Sequence, residues 1–315
     1  MKMNQLQFRR KNMCNMNKSI PLLVLIFFFG FYCGRENESA SDSMSETNEG
    51  AAFAREMNQP DSAKDKAIIV PEITYADVPY GLHPRNVLDF WQAESPQPTP
   101  VVVFIHGGGF TRGDKRLVLK KGRVRDIVQC LNHGISFASI NYRFCQPTRL
   151  DSILYDCSRA IQFLRYKSGE WNIDKSKIAA YGNSAGGGIA LWLGVYDDLA
   201  DPENSDPVLC ESSRVSAVGH LKSQATYDFD KWSGILALAE NWHASYQMAH
   251  DLELYKISSR SQYHNEEIIR LRHFVDMPAY IDSGDPPIFI SNMKDPQNLS
   301  TLGDILHHPN HAIFL

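Results

Sequence analysis

The period of the hydrophobic positions changes along this chain, and the changes divide it. Ile20 to Tyr32 is one apolar run of about a dozen residues, and from Arg35 to Lys66 large apolar residues nearly vanish. From Ile73 onward, short apolar segments alternate with segments of helical spacing, the pattern of βαβ units on a parallel sheet. Ile73 to Val78 and Asn86 to Trp91 predict two strands joined by a turn around Gly81 to Pro84, an antiparallel hairpin at one edge. Val101 to Ile105 is a continuous run rich in β-branched residues, which predicts a strand buried on both faces. Ile135 to Tyr142, Lys177 to Tyr181, Val215 to Ala225 and Pro287 to Ser291 predict four more strands.

Between these segments the spacing is helical. Val124, Ile127, Val128 and Leu131 fall on one face, and Gly134 suits the cap that ends it. Ile153, Leu154, Cys157, Ala160, Ile161 and Leu164 mark the clearest amphipathic helix. Ile189 to Val195 predicts another, and Asp230 to Met248 and Glu266 to Phe274 are less regular. The pattern predicts an α/β fold over residues 67–315, with a mostly parallel central sheet flanked by helices.

Composition adds little to this fold but restricts the partners. The 315 residues carry a net charge of −4 and no basic stripe in the body of the chain, so nucleic acid is excluded as an expected partner. The N-terminus reads as an export signal over residues 1–33. Lys2, Arg9, Arg10, Lys11 and Lys18 precede an apolar run too short to span a bilayer comfortably, and Met16 is an alternative start. Cys33 ends that run and resembles the lipid-attachment cysteine of bacterial lipoproteins, although Phe31 and Tyr32 are bulkier than the residues usual before it. The alternatives are cleavage nearby and an uncleaved anchor. Residues 34–66 are too polar to bury a core and predict a disordered linker. The expected location is therefore periplasmic, membrane-anchored or extracellular, with Cys33 or the apolar run as the tether. Cys130, Cys145, Cys157 and Cys210 lack C-x-x-C spacing, which disfavours zinc and thioredoxin-like chemistry. Buried thiols are expected, with one disulfide among them as the alternative.

Two glycine-rich stretches carry the chemistry. Gly182-Asn183-Ser184-Ala185-Gly186 lies between a predicted strand and a predicted helix and matches G-x-S-x-G, the sharp turn that exposes a nucleophilic hydroxyl at the end of a parallel strand. His106-Gly107-Gly108-Gly109-Phe110 follows the buried strand and matches the loop that supplies oxyanion-hole N–H groups. Together they make Ser184 the candidate nucleophile and Gly108, Gly109 and Ala185 the candidate oxyanion donors. Neither stretch ends in the G-K-[ST] of a phosphate loop or has dinucleotide spacing, so no nucleotide or other cofactor is called for. His106 is expected to hold its loop rather than to react.

With Gly113-Asp114-Lys115 and Asn141-Tyr142-Arg143, these motifs make the chain resemble the α/β-hydrolase superfamily. The likeness is to bacterial carboxylesterases of the hormone-sensitive-lipase type and to feruloyl-esterase-like hydrolases, from about Ile73 to the C-terminus. The resemblance implies the order nucleophile, acid, histidine, and it places the acid at Asp295, after the last predicted strand and before Pro296. Asp282 and Asp285 precede that strand and sit at the wrong end of it. No residue maps onto the family histidine, which follows a further helix and strand. The resemblance thus implies that the last strand of the fold and the base lie beyond Leu315, leaving an open sheet edge.

His307, His308 and His311 are the alternative to an absent base, and His311 is the candidate with the right chain order. His307 and His311 are four apart, but Pro309 between them and the lack of an H-E-x-x-H glutamate speak against a metal pair. The expected activity is carboxylic-ester hydrolysis through an acyl-enzyme on Ser184, with a small-molecule or carbohydrate acetyl or feruloyl ester as substrate. A prolyl-oligopeptidase-type peptidase and a noncatalytic hydrolase-fold remnant or binding lipoprotein are the alternatives.

Overall fold

In the computed structural model, residues 69–120, 122–237, 249–292, 294 and 301–315 are described. The expected export signal, Cys33, the linker and Asp295 lie outside the described residues. Seven strands form one sheet in the order β1-β2-β4-β3-β5-β6-β7: β1 (Tyr75–Pro79), β2 (Val87–Trp91), β3 (Thr99–Ile105), β4 (Ser136–Ile140), β5 (Ile173–Asn183), β6 (Ala217–Leu221) and β7 (Ile288–Ser291). The β1–β2 and β2–β4 pairs are antiparallel, and all other neighbours are parallel, so the predicted hairpin stands at one edge of a mostly parallel sheet. β7 forms the other edge among the described residues.

The sequence reads the middle strands well because both their faces are covered. Val101, Val103, Phe104 and Ile105 of β3, and all five residues of β4 and of β6, are buried. Helices α1 (Val124–Asn132), α2 (Leu150–Tyr166) and α3 (Ala185–Val195) supply the cover. The face predicted from Ile153 to Leu164 is the buried face of α2. Every residue of α3 is buried, as expected of a helix apolar on all sides. Its Trp192 stacks on Tyr196 at 4.5 Å between ring centroids and donates its indole N–H to Phe274 O. Residues 232–313 contribute shorter helices: α4 (Trp232–Leu236), α5 (Ala249–Tyr255), α6 (Glu266–Phe274), α7 (Leu302–Leu306) and α8 (Asn310–Ile313).

One predicted strand is too long. The run from Val215 to Ala225 pairs only as Ala217–Leu221, because Lys222 adopts φ 46° and turns the chain out of the sheet. Residues 222–225 then form a loop beside Ser184 instead of extending the sheet. Cys130, Cys145 and Cys157 are buried free thiols, and Cys210 is a half-buried one.

Register decides where the chemistry can occur. Ile105 of β3 pairs with Gly182 of β5, Gly182 with His220 of β6, and His220 with Ile290 of β7. The carboxyl ends of four parallel strands therefore lie side by side, and the loops that leave them converge on one rim, where parallel sheets place their ligands. Asp285 lies at the opposite end of β7, where it pairs with Arg214 ahead of β6, so it cannot serve this rim.

Candidate active site

Ser184 sits between β5 and α3 with φ 54° and ψ −129°, a conformation unfavourable for a residue with a side chain and held only by its surroundings. Its N–H donates to Leu221 O at 3.0 Å, and its carbonyl accepts from the Ser223 hydroxyl at 2.6 Å and from the Gly187 N–H at 2.9 Å. The flanking glycines are steric requirements. A Cβ on Gly186 would lie 2.0 Å from Ile105 O, and one on Gly182 would lie 2.4 Å from the same atom. The turn and β3 are in direct backbone contact there, which is why the motif tolerates no side chain at either end.

The loop after β3 faces this turn. Gly108 and Gly109 adopt φ 119° and 61°. Among the described residues their N–H groups have no hydrogen-bond acceptor, whereas the Gly108 carbonyl accepts from Thr111 and Arg112. The Ala185 N–H opens α3, where no intrahelical acceptor exists. These donors can stabilise negative charge developing on a substrate oxygen, with the helix dipole in support.

A network of buried polar groups shapes the loop. His106 is buried, its Nδ1 hydrogen-bonds to Gly107 O at 2.8 Å, and its ring stacks on Tyr142 at 4.3 Å. A carbonyl only accepts, so Nδ1 carries the proton and Nε2 accepts from the Arg85 guanidinium at 3.4 Å. Burial lowers the His106 pKa to about 4, so the ring stays neutral and structural. Arg85 also donates to Tyr142 O at 2.8 Å and Gly113 O at 3.2 Å and lies 3.7 Å over the Phe144 ring. Asn141 joins the next turn: it donates to Asp114 Oδ2 and accepts from the Lys115 N–H. The G-D-K and N-Y-R segments are thus two halves of one support. Sequence reasoning missed Arg85, which follows a hairpin turn and belongs to no motif.

The histidine at the Ser184 hydroxyl is His307. Its Nε2 lies 2.9 Å from Ser184 Oγ, and its Nδ1 lies 3.1 Å from Gly303 O, one helical turn back. The carbonyl again fixes the proton on Nδ1, which leaves the Nε2 lone pair to accept from the Ser184 hydroxyl. Burial lowers the His307 pKa below 6.5, with Lys294 and Lys222 adding to the effect, so the ring is neutral and basic at neutral pH.

The structure puts His307, not the expected His311, against Ser184. The His311 ring is fully buried, its Nδ1 accepts from the Ala225 N–H, its Nε2 donates to Ile305 O, and it meets Trp232 edge-on at 4.7 Å. Both nitrogens are committed to backbone, and burial lowers its pKa to about 3. His308 is buried as well, and its Nδ1 accepts from the Asn310 N–H. The two residues stabilise the segment that presents His307. Gln224 donates to Leu306 O at 2.5 Å, Asn292 donates to His308 O at 2.8 Å, and Thr301 and Asp304 cap α7 reciprocally. Sequence alone could not separate the three histidines, because what separates them is which ring reaches the Ser184 rim.

A serine in a strained turn at the carboxyl end of a parallel strand, facing a glycine loop and a neutral histidine, defines the α/β-hydrolase class. The family model described as BD-FAE matches residues 88–300, and the chain belongs to that family. It is 31% identical over 139 residues to a probable isoprenylcysteine alpha-carbonyl methylesterase of Arabidopsis thaliana, a match covering 44% of this chain and 28% of that protein. It is 30% identical over 157 residues to esterase LipC of Mycobacterium tuberculosis, covering 48% and 36%. The chain thus spans about a third of the length of the curated relatives it matches. Among solved structures, a truncated carbohydrate esterase from gut microbiota superposes with a TM-score of 0.53 at 20% identity, covering 69% of this chain and 75% of that one. An esterase from Thermogutta terrifontis gives 0.50 at 20% identity, covering 70% and 72%. Both superpositions carry the fold.

Proposed function

We propose that this chain is a serine carboxylic-ester hydrolase in which Ser184 is the nucleophile and His307 the general base. The observation that carries the proposal is the 2.9 Å contact between Ser184 Oγ and the unprotonated Nε2 of His307. In the first step His307 takes the Ser184 proton as Oγ attacks the ester carbonyl. The oxyanion forms against the N–H groups of Gly108, Gly109 and Ala185. The imidazolium then returns its proton to the leaving alcohol. A water activated by the same ring releases the acid and regenerates Ser184.

Asp295 is the residue we assign as the acid, on its place in the sequence after β7 and before Pro296, and Gly303 O accepts the Nδ1 proton of the His307 ring. The substrate group we assign is a small or carbohydrate ester, acetyl or feruloyl, met by an exported protein. Membership of an esterase-containing family supports the ester, and the basic and apolar pattern of residues 1–33 supports the export. Comparison of aryl acetates with aminoacyl anilides tests the reaction type. Hydrolysis of the acetates with little action on the anilides is expected, and the reverse preference would establish the peptidase alternative.

A further inference from the structure

We infer that the ester this site prefers carries an anionic group, a carboxylate on its acyl or its alcohol half, and that Arg112 and Arg123 hold it. The inference rests on the ester-hydrolase reading above and adds to it the charge of the substrate.

Two recesses open at Ser184, and they differ in charge. The smaller is walled by side chains such as Phe110, Tyr227 and Trp232, with no charged residue in its lining. The larger runs from Ser184 and Asn183 along Gly107 and Gly108, and the charged residues that line it are Arg112 and Arg123. No carboxylate lines it among the described residues, although the chain as a whole carries a net charge of −4. A neutral ester bound at Ser184 leaves both cations without a counter-charge. A carboxylate supplies one, and the planar guanidinium matches its two oxygens.

The reacting elements themselves place the two arginines. The Arg112 N–H donates to Gly108 O at 3.3 Å, and a Cβ on Gly108 would lie 3.1 Å from Arg112 Cγ, so this side chain leaves the backbone against the oxyanion loop. Its guanidinium has no hydrogen-bond or ion-pair partner among the described residues. Arg123, at the start of α1, donates to Asn183 Oδ1 at 3.3 Å, which fixes it to the residue before Ser184, and it lies 5.4 Å from the centre of the Phe104 ring. Asp126 follows one turn along α1, but its Oδ2 accepts from the Tyr181 hydroxyl at 2.6 Å, and no ion pair joins it to Arg123 among the described residues. On the base side, Lys222 and Lys294 lower the His307 pKa against the opposing charge of Asp304, so the field there is positive as well. A cleft lined by one sign of charge concentrates ligands of the other.

The test measures kcat/KM on the full chain, at low salt, for two matched pairs of esters. Mono-4-nitrophenyl adipate against its methyl ester puts the charge on the acyl half, and 3-acetoxybenzoate against methyl 3-acetoxybenzoate puts it on the alcohol half. Each value is divided by the rate of the same ester with hydroxide, which removes its inherent reactivity. Wild type is expected to prefer the charged member of at least one pair by about fivefold or more, the upper end for one exposed ion pair, and that pair identifies the half that carries the anion. Arg112→Gln and Arg123→Gln are each expected to cut the preference by about threefold to fivefold, and about 0.5 M NaCl to erode it in wild type. Equal values within both pairs in wild type would overturn the inference, as would a preference that survives in a folded Arg112→Gln/Arg123→Gln double variant. If Arg123→Gln fails to fold because Asn183 loses its partner, Arg112→Gln, whose side chain holds no other group, still decides. A folded wild type that hydrolyses none of the four esters and takes no fluorophosphonate label would overturn the hydrolase reading itself. Hydrolysis without a charge preference overturns only the anion site.

Discussion

Replacing Arg85 with alanine isolates the support of the oxyanion loop from the reacting groups. The guanidinium joins three segments: it donates to Tyr142 O at 2.8 Å after β4, to Gly113 O at 3.2 Å beyond the loop, and to His106 Nε2 at 3.4 Å within it. It also lies 3.7 Å over Phe144. Only the shortest hydrogen bond has full strength, about 1.5–3 kcal/mol for a charged donor. The ring contact adds about 0.5–1 kcal/mol. Arg85→Ala is therefore expected to lose about 2–4 kcal/mol of stability. His106 loses its Nε2 partner at the same time, and Gly107 to Gly109 move with it. A displacement of about 1 Å at donors aimed at the oxyanion lowers kcat about 10²-fold, with a smaller change in KM. Urea unfolding and aryl-acetate kinetics on the same preparation measure both effects. Arg85→Lys keeps a charge but not the planar fork, so it is expected to recover less than half of either loss. An alanine variant that unfolds within about 1 kcal/mol of wild type and turns over at its rate would refute this account of the loop.

Three further outcomes follow from the same geometry. His307→Gln is expected to lower ester hydrolysis by about 10²–10⁴-fold while leaving the near-UV circular dichroism unchanged, because general-base assistance is removed. Gly186→Ala places a Cβ 2.0 Å from Ile105 O and is expected to abolish soluble, probe-reactive protein, whereas Gly134→Ala meets no atom within 4 Å and is expected to cost only the strain of φ 70°. Stability is expected to fall as pH drops below 6.5 toward about 4. His106, His220 and His311 have folded pKa values of about 4, 4 and 3, below the ordinary 6.5, so in that window the unfolded chain binds protons that the folded chain refuses. Each contributes up to about 1.4 kcal/mol per pH unit, which urea midpoints at pH 7.5 and 5 resolve.

The sheet was legible in the sequence because its middle strands are apolar on both faces. The edge hairpin was legible because a turn separates two short runs. Ser184 and its glycines were legible for a steric reason: backbone contact at Ile105 O leaves only glycine at Gly182 and Gly186, so the constraint is local and writes itself as a motif. Lys222 was not, because a single positive φ in an apolar run leaves no compositional mark. Arg85 and His307 were not either. Both act through partners far away in sequence, Tyr142 and Ser184, and a histidine cluster looks the same whether its rings hold backbone or reach a nucleophile. His311, favoured by chain order, holds backbone at Ala225 and Ile305, while His307, at the end of α7, reaches Ser184.

The central claim is that His307 makes Ser184 nucleophilic. Its most direct test is fluorophosphonate labelling of the full chain, with the modified residue located by peptide mass spectrometry in wild type and in His307→Gln. The account predicts a single adduct on Ser184 that forms at least about 10²-fold more slowly in His307→Gln and at an unchanged rate in His133→Gln, a distant surface histidine. A folded wild type that takes no label at Ser184, or a His307→Gln protein labelled as fast as wild type, would contradict it.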